Sequence, residues 1–264
     1  TYSLGGHYEN MLRLPRYREL GRKVFQFPSS LDPANPKVRT FLRQAIADVC
    51  ELFPAPWFHM GFDEMIGLTP DLFLKHANWC AKEVVKHGKT PVMWVDMIYN
   101  HYGYETIREL HPAVIPVSWG YNDVRSRIAP RNAKLAAQGR GLWGLAGYRC
   151  WVSFLPDFPA ARRHFGDWAR QADKHDMPAL FASIWGDNGY ENSRHLAWNL
   201  YAAFGETAWS GKGTDDSFNA RFEQSFYGVE LPRLHAVTDE LAASLSIEPG
   251  GVWRWHRRKP EAMI

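Results

Sequence analysis

Residues 58–64 read FHMGFDE, an apolar run that ends in two adjacent carboxylates, Asp63 and Glu64. Thr69 and Pro70 follow closely, and a threonine before a proline is typical of the start of a helix. In an α/β barrel the loops after the carboxyl ends of the strands build the active site, so the two acids stand where a catalytic pair would stand. Two neighbouring acids on their own are also typical of a solvated turn, so a catalytic role needs support from other features of the sequence.

Strand-type and helix-period segments alternate along the chain from about residue 36. A helix capped by Asn35 and opened by Pro36 comes first, and its apolar side is predicted to run from Val38 to Leu52. Five strand–helix units follow, with strands at about 57–61, 91–95, 114–119, 142–147 and 179–185. This alternation favours parallel strands joined by helices, either in a barrel or in a doubly wound sheet. No G-x-G-x-x-G turn follows a strand, which weakens a nucleotide-binding interpretation.

Composition narrows the class of protein. The chain has 264 residues, 45% hydrophobic and 22% charged, which is enough for one large globular domain. Its net charge of +3 is small, and we interpret the basic residues 254–259 as a solvated tail rather than a nucleic-acid surface. No apolar stretch reaches the roughly 20 residues of a membrane span. Cys50, Cys80 and Cys150 lack paired spacing, so they indicate neither a disulfide framework nor a zinc module and favour a reducing, cytoplasmic compartment.

Aromatic and acidic residues recur at the predicted strand ends. They are Trp94 and Asp96, Trp119, Tyr148 and Trp151, and Trp185 and Asp187. A single tryptophan is most often a core residue, whereas several tryptophans beside carboxylates at one end of a sheet form an aromatic-walled pocket with a few polar groups. Such a pocket is typical of a sugar site, and this is the interpretation we favour.

Three short segments resemble one enzyme family. Residues 59–64, HMGFDE, resemble the H-x-G-x-D-E motif of family 20 glycoside hydrolases, the β-N-acetylhexosaminidases, with Phe62 where the most familiar form has a second glycine. Residues 5–7, GGH, resemble the P-G-H segment that these enzymes carry at the end of strand three, and residues 185–187, WGD, are similar to their strand-eight W-x-E. The match runs in the correct order over about residues 1–210, and its departures suggest a divergent branch.

The resemblance implies a (β/α)8 TIM-type barrel of the α/β class. Residues 2–4 then correspond to the end of strand three, so strands one and two and most of strand three are expected to be absent from this chain. Residues 1–225 would form the C-terminal part of the catalytic barrel, and residues 226–264 a helical extension with a basic tail. An open barrel exposes strand edges, so we expect the natural protein to be longer or another segment to complete the wall.

The resemblance also implies an activity, that of an exo-acting, retaining β-N-acetylhexosaminidase. In this family the 2-acetamido oxygen of the substrate is itself the nucleophile. Glu64 would act as the general acid and base, and Asp63 would orient the acetamide and stabilise the positive charge of the cyclic intermediate. His7 would tune the proton of Glu64.

The same resemblance implies a set of substrate-binding residues. Trp94, Trp119 and Trp185 would enclose the acetamide, Tyr148 would donate to its oxygen, and Asp187 would bind the outer sugar hydroxyls. The substrate would be a glycan or glycoconjugate that ends in N-acetylglucosamine or N-acetylgalactosamine. No cofactor, metal ion, nucleic acid or membrane is expected as a partner, and the oligomeric state is not predicted.

Two other functions stay open at this point. A metal-dependent barrel hydrolase would use His7, His59 and Asp63 as ligands, although the two histidines do not stand at a reliable ligand spacing. A non-catalytic carbohydrate-binding barrel would keep the aromatic pocket and lack turnover. The adjacent acids favour the enzyme over this second alternative.

Overall fold

The computed structural model describes residues 2–23, 28–121, 124–148, 155–185, 195 and 197–244. The chain divides into two compact units. The first comprises residues 1–119 and 131–143, and the second comprises residues 120–130 and 144–264. Within the described residues no helix has both the length and the apolar character needed to cross a membrane.

The first unit combines a short antiparallel pair with three parallel strands and their helices. Its early elements are α1 (Glu9–Leu12), a 3₁₀ turn (Pro15–Leu20), β1 (Gly21–Lys23) and β2 (Pro28–Leu31). Its later elements are α2 (Pro36–Leu52), β3 (Trp57–His59), α3 (Pro70–Lys86), β4 (Thr90–Trp94), a π turn (Ile98–Tyr102), a 3₁₀ turn (Tyr104–Glu109), β5 (Ile115–Gly120) and α4 (Ala129–Ala136). The sequence does not predict the β1–β2 pair, because strands of three or four residues offer too few positions for a periodic pattern.

Strands β3, β4 and β5 are parallel neighbours in that order, as the strand–helix alternation predicts. Trp57 lies opposite Thr90, and Val92 lies opposite Ile115. The ladder continues beyond the end of β3, because the amide of Met60 donates to the carbonyl of Val92 at 2.8 Å. The carboxyl ends of these strands therefore meet at one edge of the sheet, and residues 61–64 leave the sheet there.

The start of the chain lies against the end of β3. The amide of Tyr2 donates to the carbonyl of His59 at 3.0 Å, and the amide of Leu4 donates to the carbonyl of Met60 at 2.8 Å. These two bonds hold residues 2–4 beside the strand, where the sequence predicts the tail of another strand. The segment consequently delivers His7 to the edge at which β3 ends.

Both predicted helix starts are confirmed. The side chain of Asn35 accepts from the amide of Lys37 at 3.0 Å, and Pro36 is the first residue of α2. The side chain of Thr69 accepts from the amide of Leu72 at 3.3 Å at the start of α3. These caps are local, so a few neighbouring residues suffice to predict them.

The apolar side of α2 differs in part from the prediction. Val38 is buried as expected, but Leu52 is 73% exposed. The buried row runs instead through Val38, Leu42 and Ile46, because residues four apart lie on one face of a helix. Among the cysteines, Cys80 is buried and unpaired and Cys50 is partly buried and unpaired, whereas Cys150 lies outside the described residues.

The second unit pairs two parallel strands with four helices among its described residues. Its elements are a π turn (Val124–Ile128), β6 (Trp143–Tyr148), α5 (Phe158–Lys174), β7 (Leu180–Ile184), α6 (Ala197–Ser210), α7 (Phe218–Tyr227) and α8 (Leu234–Ser244). Gly144 lies opposite Leu180, and a side chain at Gly144 would come within 3.0 Å of Trp168. Helix α5 therefore packs closely on this strand pair.

The core of the second unit is built from the apolar faces of α5, α6 and α7. Phe158, Phe165 and Trp168 of α5 pack with Leu200 of α6 and Phe222 of α7 in one buried cluster. Helix α7 continues through residue 225, and the predicted domain boundary between 225 and 226 stays a prediction.

Candidate active site

A sharp turn after β3 presents the acid pair. Gly61 has φ +73°, Phe62 has φ +80° and Glu64 has φ +53°, so three residues of the turn adopt left-handed backbone conformations. Such a conformation costs a residue with a side chain about 1–2 kcal/mol. Strain of this kind persists where the surroundings impose it, and it clusters at functional sites.

The side chain of Phe62 holds the turn in place. It is fully buried, and its ring lies 5.6 Å from the ring of Phe73 and 5.4 Å from the ring of His76. In the motif that residues 59–64 resemble, the position of Phe62 is usually occupied by glycine. The left-handed backbone explains why glycine is common there, and the buried ring supplies the stabilisation that offsets the strain here.

Two glycines bring the start of the chain onto the turn. A side chain at Gly61 would meet the Cα of Ser3 at 2.9 Å, and one at Gly6 would meet the carbonyl oxygen of Asp63 at 2.7 Å. Both distances are too short for a real Cβ, so the two backbones approach each other this closely only because the residues are glycines. The next residue along the chain, His7, thereby reaches the acid pair.

His7 contacts both carboxylates. Its Nε2 lies 3.0 Å from Oδ2 of Asp63 and 3.8 Å from Oε2 of Glu64. The hydrogen bond to Asp63 raises the pKa of His7 to about 9; burial opposes this shift, and the charges of Asp63 and Glu64 add to it. His7 is therefore an imidazolium at neutral pH and donates to Asp63.

A third carboxylate, Asp96, anchors the backbone of Glu64. It is 3% exposed, its Oδ2 accepts from the amide of Glu64 at 3.0 Å, and its Oδ1 accepts from Nε1 of Trp119 at 3.3 Å. Burial is the main reason that the pKa of Asp96 is raised to about 6. The sequence marks Asp96 only as a strand-end residue. Its position two residues after Trp94 is the one signal that points to the site.

The two acids of the pair differ in accessibility. The side chain of Glu64 is 59% exposed, whereas that of Asp63 is 21% exposed and lies against His7. Glu64 can therefore reach a ligand and exchange a proton with it, while Asp63 is held as a fixed carboxylate. This division is what acid–base chemistry needs from two neighbouring carboxyl groups.

His59 and Trp94 form a support beside the turn. The Nδ1 of His59 accepts from the amide of Gly61 at 3.1 Å, and the His59 and Trp94 rings lie 4.1 Å apart. Burial lowers the pKa of His59 to about 3, so the ring is neutral. Trp94 is itself only 6% exposed, and its amide donates to the carbonyl of Gly61 at 3.0 Å.

The predicted site residues fall into two sets. His7, Asp63, Glu64, Trp94 and Trp119 are brought together in the first unit, with Asp96 as an additional member.

The remaining predicted residues belong to the second unit or lie outside the description. Tyr148 is 7% exposed, and its hydroxyl accepts from the amide of Asp157. Trp185 follows β7 and is 39% exposed. Asp187 and Trp151 lie outside the described residues. In the described part of the chain no three His, Cys, Asp or Glu side chains are grouped so that they could hold a metal ion.

Comparisons with known proteins place the fold. Neither protein-family profiles nor the sequences of curated proteins match this chain. Solved structures do match, among them a β-N-acetylhexosaminidase from Bacteroides fragilis, at a TM-score of 0.60 and 17% identity over 86% of this chain and 51% of that one. The chitobiase of Flavobacterium johnsoniae matches at a TM-score of 0.57 and 19% identity over 95% of this chain and 40% of that one.

A third match comes from the tandem catalytic modules of a pneumococcal exo-β-D-N-acetylglucosaminidase, which belong to glycoside hydrolase family 20. It has a TM-score of 0.53 and 17% identity, and it covers 83% of this chain and 62% of that one. The chain thus spans about half the length of the first of these structures. The similarity to these structures favours the predicted barrel over a doubly wound sheet. The chain therefore has the fold of part of the (β/α)8 catalytic barrel of the family 20 glycoside hydrolases.

Proposed function

We propose that the protein is an exo-acting β-N-acetylhexosaminidase that removes terminal N-acetylhexosamine residues with retention of configuration. The observation that carries the proposal is the connected group of His7, Asp63, Glu64 and Asp96 at the carboxyl end of β3, in a barrel of the family 20 fold. The substrate's 2-acetamido oxygen is the nucleophile in this mechanism.

Glu64 is the general acid and base of the proposed reaction. Its exposed side chain is free to approach the glycosidic oxygen, and Asp96 fixes its backbone at the amide. In the first step Glu64 gives its proton to the departing oxygen, and in the second it takes a proton from the water that opens the cyclic intermediate. This contribution is typically worth about 10² to 10⁴ in rate.

Asp63 is the orienting carboxylate. An acetamide that attacks the anomeric carbon develops positive charge, and a fixed carboxylate beside its N–H both aligns the group and stabilises that charge. The hydrogen bond from the His7 imidazolium keeps Asp63 in one orientation. His7 is therefore a positioning residue in this scheme.

By the family resemblance we also assign the aromatic residues at the strand ends to the proposed sugar site. Trp119 is tied through Asp96 to the backbone of Glu64, and Trp94 packs beside the same turn. Tyr148 and Trp185 stand at the carboxyl ends of β6 and β7, the edge at which barrel enzymes build their sites. We assign Asp187 to the outer hydroxyls by the resemblance of residues 185–187 to the family motif.

The experiment compares Glu64→Gln with Glu51→Gln, a matched change at an exposed glutamate of α2. On N,N′-diacetylchitobiose, whose leaving group needs a proton, we expect Glu64→Gln to lower kcat by about 10² to 10⁴. On a dinitrophenyl N-acetyl-β-glucosaminide, whose leaving group needs none, the loss should be much smaller. Equal activity of the two variants on chitobiose would refute the role of Glu64.

A second experiment tests the nucleophile. A thiazoline that mimics the cyclic intermediate should inhibit strongly, and indifference to it would discard the acetamido mechanism. Loss of activity with a chelator would favour a metal-dependent hydrolase. A parent protein that binds chitobiose and never cleaves either substrate would favour a carbohydrate-binding protein.

A further inference from the structure

The outer face of α5 is unusually rich in arginine. One side of this helix carries the apolar residues Phe158, Phe165 and Trp168 into the core of the second unit. Arg163 and Arg170, seven residues apart, lie on the opposite side and are exposed, whereas Arg162 lies at the border of the apolar side. Asp167 lies on the same side as Arg170 and is paired with it.

These arginines line an open cavity of about 410 Å³. The π turn before α4 and the loop after α6 supply its other sides, and all of its lining belongs to the second unit. Its charged lining residues are Arg125, Arg162, Arg163, Asp167, Arg170 and Lys212. Five cations thus face a single carboxylate, and Asp167 is already paired with Arg170.

Arg162 is the most enclosed of the arginines that line the cavity. Its side chain is 18% exposed, and its Nη1 is buried with no hydrogen-bond partner. Its Nη2 lies 3.9 Å from Oδ2 of Asp239, an ion pair that is too long for a hydrogen bond. Burial lowers the pKa of Arg162, because the charged form loses solvent contact. Nη1 of Arg162 and Oδ1 of Asp239 are both buried without a hydrogen-bond partner, so the pair leaves part of the guanidinium unsatisfied.

We propose that this cavity binds a phosphate or sulfate monoester. Guanidinium groups match tetrahedral oxyanions because they present paired N–H donors in a plane. The cavity falls within the range of about 300–1,000 Å³ that is typical of small-molecule sites, so it has room for the group that carries the ester as well as for the ester oxygens. The inference does not depend on the proposed hydrolase activity.

The test measures binding of glucose 6-phosphate and glucose 6-sulfate to the full chain by calorimetry. Glucose is the uncharged control, and inorganic phosphate separates recognition of the carrier from recognition of the anion alone. We expect saturable binding of at least one ester that weakens as the salt concentration rises. Tighter binding of the ester than of inorganic phosphate is expected. Absence of saturable binding of both esters, equal binding of glucose, or equal or tighter binding of inorganic phosphate would overturn the proposal.

The chain offers a matched pair of variants. Arg125 and Arg127 lie on the same π turn and are both exposed, but only Arg125 lines the cavity. Arg125→Gln, at an exposed position, should weaken ester binding by about tenfold or more, as expected for a lost charge-assisted hydrogen bond. Arg127→Gln should leave it within about twofold. Equal weakening by the two changes would mean a diffuse charge effect and would refute a defined site.

Discussion

The contact between His7 and the acid pair predicts a specific pH dependence of stability. The pKa of His7 is raised from 6.5 to about 9 in the folded protein, so folding favours the protonated imidazole. The stabilisation is fully present below about pH 6.5 and is lost as the pH rises through about 9. The imidazole is 49% exposed, so solvent screening limits the contribution to about 1 kcal/mol.

The perturbation is His7→Asn, because asparagine tolerates the left-handed backbone that His7 adopts at φ +60°. Urea unfolding of the parent and the variant is compared between pH 6 and pH 9.5. The parent should be more stable by about 1 kcal/mol at the acidic end, and the difference should shrink as the pH rises.

Two controls make the result specific. His101→Gln, at an exposed histidine, should follow the pH profile of the parent. Asp63→Asn should by itself remove most of the pH-dependent difference, because the hydrogen bond to Asp63 is the largest cause of the raised pKa. A difference between the parent and His7→Asn that stays constant or grows with pH would refute the assigned ion pair.

Three further changes test the site and its supports. Asp96→Asn should lower kcat on a chromogenic N-acetylglucosaminide about tenfold or more with little change in KM. Asparagine has only one acceptor oxygen for two donors, the Glu64 amide and the Trp119 indole, and its NH2 group opposes the other donor; an unchanged kcat would contradict the anchoring role. Phe62→Gly relieves the left-handed backbone but deletes a fully buried ring, so the free energy of unfolding in urea should fall by about 2–4 kcal/mol, and a stabilised variant would mean that strain outweighs packing. Arg140 donates to five backbone carbonyls within residues 107–114, and Arg140→Lys should lower the urea midpoint, whereas an unchanged midpoint would show that solvent replaces these bonds.

Much of the fold could be predicted because its signals are local. Asn35 with Pro36 and Thr69 with Pro70 mark helix starts through contacts within three residues, and both are confirmed. The face of α2 was less predictable, since Leu52 fits the apolar spacing and yet is exposed at the last turn of the helix. Spacing defines a stripe on a helix, but only the neighbouring elements determine how far along it the stripe is covered.

The site was predictable only in part. Asp63 and Glu64 are visible as neighbours in the sequence. His7 is 56 residues away from Asp63, and only the family resemblance predicts its place in the site. The role of Asp96 could not be predicted, because it depends on a backbone amide and an indole that come from two other segments. The close approach of Gly6 to the carbonyl of Asp63 likewise exists only once the chain has folded.

The shared anchoring of Glu64 and Trp119 by Asp96 limits how the specificity of the proposed enzyme could be altered. Trimming the indole to admit a bulkier sugar would leave one oxygen of a buried carboxylate without its donor, at a cost of about 1–3 kcal/mol. Relaxation of that carboxylate would then move the amide of Glu64, the proposed proton donor. Under the proposed function, changes in sugar preference at this position are coupled to changes in turnover, and a redesign would have to supply a substitute N–H or O–H group before widening the pocket.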